Sequence, residues 1–112
     1  MKFRVAELSG RLLDAAVAKT LSANGTEFGA LLGSPGDLSV SERSPSTDWA
    51  VGGPIIEAER IDLRDKGDGW HAGFDLQDWH LRIGVGGFGP TPLVAAMRAY
   101  VASRFGDEVE LP

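Results

Sequence analysis

Apolar residues recur at helical spacing near both ends of the chain and alternate between them. Leu13, Ala16, Val17, Thr20 and Leu21 fall on one face at the helical period. Ser9 can cap this run, Leu8 can staple onto Leu13, and Asn24-Gly25 supplies a left-handed stop. The pattern predicts a helix over residues 10–23. The clearest element is the last one. Thr91 caps, Pro92 takes the first helical position, and Leu93, Ala96, Met97, Tyr100, Val101 and Phe105 form the stripe of a helix that stops at Gly106. A third helix is predicted over residues 48–59, with Thr47 or Asp48 as cap and Trp49, Ile55 and Ile56 facing inward. Its run Gly52-Gly53-Pro54 is unusual, because Pro54 has no N–H and crowds the carbonyl of Ala50. The pattern predicts a single kinked helix in preference to a short turn with a restart at Pro54.

Strand signals fill the gaps. Phe3 and Val5 alternate with Lys2 and Arg4, which suggests a short strand over residues 1–7. Residues 26–32 and 38–43 flank the turn-rich segment 33–37 and read as a hairpin. Ile61–Arg64 and Trp70–Phe74 flank Lys66-Gly67-Asp68-Gly69, where Asp-Gly is a strong hairpin turn. Trp79–Val85 reads as a third meander strand, and Gly84, Gly86, Gly87 and Gly89 as a flexible connector to the last helix. The sum is an α+β fold. It is a small antiparallel β-meander with three helices packed on it: N-terminal, central and GGP-kinked, and C-terminal. The first and last helices are expected on one face of the sheet, with Trp49, Trp70 and Phe74 in the shared core.

Composition narrows the functional classes. The length of 112 residues suits one domain, residues 1–112, ending in a short acidic tail at 107–112. An apolar share of 43% with 24% charged residues describes an ordinary folded globule and excludes a disordered or fibrous chain. No apolar run is long enough to span a membrane. With no cysteine, disulfides, thiolate metal sites and cysteine nucleophiles are excluded. The start lacks the apolar stretch of an export signal, so the cytoplasm is the expected compartment. The net charge of −5 is uneven: residues 34–80 carry −6 and residues 81–106 carry +3. Without its tail the chain stands at −2, which leaves room for a local basic face.

Few patterns carry chemistry. Gly84-Val85-Gly86-Gly87-Phe88-Gly89 matches a dinucleotide fingerprint letter for letter. Too little chain follows it to build the βαβ unit such a site needs, and Pro90 and Pro92 remove N–H groups where phosphate would sit. His71, Asp78 and His80 could form a two-histidine, one-carboxylate metal site, but surface residues decorating a hairpin explain them more simply. Glu57 and Glu59 point apart on a helix and make no dyad. No Gly-x-Ser-x-Gly elbow nominates a serine. Catalysis has no positive support, and no cofactor is called for. Arg11 and Lys19 on the first helix, with Arg98 and Arg104 on the last, could share a basic face for nucleic acid.

Several blocks together resemble a known family. Residues 7–21, 44–61, Trp70 after its Gly-Asp-Gly turn, and residues 89–109 are similar in order and spacing to the NinX-like family of bacteriophage and prophage proteins. Its diagnostic blocks correspond to Trp49–Ile56 and Pro92–Arg98. The resemblance departs at Asn24–Arg43 and at Asp75–Phe88. It implies a phage or prophage origin, and no activity or catalytic residue, because the family's function is unknown. It also implies that Gly52, Gly53 and Pro54 have a packing or binding role. The reading that results is a non-enzymatic module that binds a phage or host protein in the cytoplasm of an infected or lysogenic bacterium. Its surface is expected around Thr47, Asp48, Trp49, Gly52, Gly53, Pro54, Trp70 and His71, with self-association left open. A nucleic-acid-associated protein and a small metal-binding protein or enzyme are the alternatives.

Overall fold

A computed structural model describes residues 1–24, 44–74 and 86–111 of the chain. Along the sequence these form β1 (Lys2–Arg4), a 3-10 turn (Val5–Glu7), α1 (Gly10–Asn24), α2 (Trp49–Glu59), β2 (Ile61–Asp65), β3 (Trp70–Phe74), β4 (Gly87–Gly89), α3 (Pro92–Phe105) and β5 (Glu108–Glu110). The expected hairpin over 26–43 and the expected strand 79–85 lie outside the described residues.

Helix α3 is the element on which the others pack. The Thr91 hydroxyl accepts from the Val94 N–H at 3.2 Å, and Pro92 follows where a missing N–H costs nothing. Gly106, at φ +79°, ends the helix and donates its N–H to the Ala102 carbonyl at 2.8 Å. Of the expected stripe, Leu93, Ala96, Met97, Tyr100 and Val101 are buried and Phe105 is half-buried, but Ala95 and Ala99 are buried as well. The helix is therefore covered on more than one side: β2, β3 and β4 lie against it, and α1 and α2 pack on it elsewhere.

That arrangement refines the expected layering. The sheet-facing position belongs to α3, and α1 packs chiefly on α3. The β2–β3–β4 sheet is antiparallel throughout, with Leu63 opposite Ala72 and Trp70 opposite Gly89. Its first hairpin turns where expected. Lys66 N–H donates to the Gly69 carbonyl at 2.8 Å, Asp65 Oδ1 accepts from Gly67 N–H at 2.8 Å, and Gly67 sits at φ +85°.

The strand next to β3 comes from the expected glycine-rich connector. Gly87–Gly89 pairs with β3 while lying directly against α3. A Cβ on Gly87 would stand 2.4 Å from the Ala95 carbonyl oxygen and 2.6 Å from the Ala99 nitrogen. One on Gly89 would stand 2.9 Å from the Ala95 nitrogen. These glycines allow close backbone approach, so flexibility is the wrong reading of them.

The two chain ends meet. Strand β1 pairs with β5, with Phe3 opposite Val109, and the expected first strand stops at Arg4 and gives way to the 3-10 turn. The acidic end is thus a strand and not a free tail. Buried Val109 and Leu111 alternate with exposed Glu108 and Glu110, an alternation too short to stand out from the acidic residues around it. The Met1 ammonium donates to the Leu111 carbonyl at 2.8 Å and lies 3.2 Å from Glu110 Oε1.

Helix α2 runs unbroken through Pro54, as the single-element reading expects. Asp48 is the cap, its Oδ1 accepting from Ala50 N–H at 2.9 Å. The preceding turn is tied to α1 by a buried bond: Ser46 N–H donates to Asp14 Oδ1 at 3.0 Å, with Asp14 2% exposed.

Candidate functional site

The residues expected to form one binding surface fall into separate places. On α2, Val51, Gly52 and Ile55 are buried, whereas Trp49 is 53% exposed. Trp49 was expected to face inward. At about 100° per residue, Val51 and Ile55 point about 200–240° away from it, so burying them turns the Trp49 ring toward water. Thr47 and Asp48 beside it are exposed. The three residues of the GGP run divide in role. A Cβ at Gly52 would meet the Pro45 carbonyl oxygen at 2.5 Å and Leu93 Cδ2 at 2.7 Å, which makes Gly52 a contact point between α2, the preceding turn and α3. A Cβ at Gly53 would meet nothing within 4 Å. Pro54 is half-buried.

Trp70 and His71 occupy successive positions of β3 and so point to opposite sheet faces. Trp70 packs against the core, as does Phe74, and His71 is exposed beside Phe88, its partner in register. Trp70 therefore matches its expected core role, and the pair cannot share one surface.

The four cations of the expected basic face also divide. Arg11 and Arg104 are exposed. Lys19 Nζ donates to the Glu110 carbonyl and lies 5.4 Å from the centre of the Phe105 ring. Arg98 donates from Nε to the Leu8 carbonyl at 2.9 Å and from Nη1 to the Phe88 carbonyl at 2.7 Å. Burial lowers the pKa of its guanidinium from the ordinary arginine value. Two of the four cations thus hold the chain's own backbone.

Around Arg98 lies a surface cleft of about 1030 Å³. Arg4, Val5 and Ala6 form one side, and His71 with Gly86, Gly87 and Phe88 another. Arg98 and Ala102 contribute from α3, and Gly106, Asp107 and Glu108 close one end. Arg98 and His71 stand in separate expected sites, and nothing in the sequence pattern announces the cleft they share. Arg4, Asp107 and Glu108 reach it only because β1 pairs with β5, and no local pattern announces that pairing.

Of the weighed metal set, only His71 lies among the described residues; Asp78 and His80 lie outside them. Among the described residues no three His, Cys, Asp or Glu side chains gather as a metal would require. No described helix is long and apolar enough to cross a membrane. The family model described as "Bacteriophage P22, NinX" matches residues 4–104. A search of curated proteins finds no match.

Proposed function

Because the chain belongs to the family described as Bacteriophage P22, NinX, whose extent here runs from β1 through most of α3, we propose that it is a non-enzymatic phage accessory protein that acts by binding another protein. The observation that carries this reading is Trp49. A helix that buries a glycine and a valine leaves its largest ring 53% exposed. Covering that half of a ring of about 200 Å² would contribute about 2–3 kcal/mol to an association. Tryptophan is enriched among the residues that dominate protein interfaces. Thr47 and Asp48 supply a polar rim, and the Asp48 cap holds the start of α2 in place. The partner is a phage or host protein met in the cytoplasm of an infected or lysogenic bacterium.

The test is affinity capture with cross-linking from infected cells, using wild-type protein and Trp49→Ala. Wild type should recover a partner that Trp49→Ala loses, while both unfold at the same urea concentration. Recovery of the same proteins by both variants refutes the reading. Nucleic-acid binding has less support, since Lys19 and Arg98 already engage backbone carbonyls. A mobility shift in low salt that Arg11→Ala and Arg104→Ala together abolish would favour it instead.

A further inference from the structure

We propose that the cleft around Arg98 binds a small organic anion, a carboxylate or phosphate group carried on an apolar body, with Arg98 and His71 gripping the anionic head. The cleft is separate from the Trp49 surface, and its volume of about 1030 Å³ is just above the usual range for small-molecule sites.

Four observations converge on this ligand. The Arg98 guanidinium is half-buried, and among the described residues no carboxylate lies within ion-pair distance of it. A cation partly withdrawn from water favours a counter-charge, and here only two carbonyl dipoles meet it. Those two bonds use two of its five N–H donors and hold the fork in place, leaving three donors for a ligand. The rest of the cleft supplies matching parts. His71 is exposed, with Nε2 only 3.2 Å from where a Gly86 Cβ would stand, so the imidazole lies over a stretch of backbone without side chains. Phe88, 48% exposed, offers an apolar surface to the body of the ligand.

The acidic residues set the limit. Asp107 and Glu108 line the end of the same cleft beyond the C-terminal end of α3. They oppose a polyanion such as a nucleic-acid backbone and select a ligand with one anionic head and a neutral or cationic remainder. The cleft is therefore not a second form of the basic face.

The test is amide and arginine-side-chain NMR on the ¹⁵N-labelled protein, titrated in parallel with benzoate, phenyl phosphate and benzyl alcohol. Saturable shifts at Gly86, Gly87, Phe88 and the Arg98 Nε–H are expected with at least one anion and not with the alcohol. The two anion arms distinguish carboxylate from phosphate. Arg98→Lys should weaken binding about tenfold by removing the fork. His71→Ala should weaken it about threefold, and Glu108→Gln should tighten it by removing repulsion. Because Arg98 also holds two backbone carbonyls, His71→Ala and Glu108→Gln carry the test if Arg98→Lys fails to fold. The proposal is overturned if neither anion gives saturable shifts there. It is equally overturned if benzyl alcohol matches the anions, or if both supporting variants bind as wild type.

Discussion

Substituting Gly87 by alanine tests the packing of α3 on the sheet. The added Cβ would lie 2.4 Å from the Ala95 carbonyl oxygen, 2.6 Å from the Ala99 nitrogen and 3.0 Å from the Arg98 Cβ. Ordinary contacts are about 3.5–4.0 Å, so helix and strand must separate by about 1 Å. The two closest atoms are backbone and cannot rotate away. The helix is also restrained by Leu93 against α2 and by the two Arg98 bonds. Overpacking of this kind costs about 1–3 kcal/mol, and the backbone collision places Gly87 at the upper end. Loss of unfolded-state freedom returns about 0.4–1 kcal/mol. The net expectation is a destabilisation of about 2 kcal/mol, read as a urea midpoint about 1 M lower with an unchanged slope, and a Tm lower by about 10 °C. Gly53→Ala is the control, since its Cβ meets nothing within 4 Å. It should stabilise the protein by about 0.5–1 kcal/mol through helix propensity. The reasoning fails if Gly87→Ala is as stable as wild type, or if Gly53→Ala loses as much as Gly87→Ala.

Three further outcomes follow from named contacts. Asp14→Ala should cost about 1–3 kcal/mol in urea unfolding, because the Ser46 N–H loses its buried acceptor, and hydrogen exchange at that amide should accelerate. Removing residues 108–112 takes away β5 with buried Val109 and Leu111, worth about 3–6 kcal/mol together. Since small domains have about 5–15 kcal/mol in total, thermal unfolding of the truncated chain should begin far lower or lose its cooperativity. Asp48→Ala should cost about 1 kcal/mol by loss of the α2 cap, whereas Asp48→Asn should cost little.

The fold was most legible where signals are local. Thr91, Pro92 and Gly106 each act within one turn of α3, and the hairpin at Lys66–Gly69 closes on itself, so both stood where the pattern put them. Helix α1 and the continuous helix through Pro54 were readable for the same reason. The misreadings concern contacts between distant segments. The glycines at 87 and 89 look like a linker in one dimension, and their role appears only when Ala95 is set beside them. Glu108–Glu110 looks like a solvated tail, because its single inward residue, Val109, is meaningful only opposite Phe3. Trp49 shares a helix face with Ile56, which suggests core, but the face that is buried is that of Val51, Gly52 and Ile55, and this sends the ring outward.

The site was less legible than the fold, because residue type does not reveal what a side chain already holds. Arg11, Lys19, Arg98 and Arg104 are equivalent letters in a charge count. In the structure Lys19 anchors the last strand to α1 and Arg98 ties the Leu8 carbonyl to β4, while Arg11 and Arg104 remain at the surface. The same tie gives Arg98 its second property. An arginine held by two carbonyls is positioned without being neutralised, whereas a carboxylate partner would do both. Its charge therefore remains available to the cleft, and its geometry is set before any ligand arrives. A residue spent on structure can in this way be better prepared to bind than one left free in solvent.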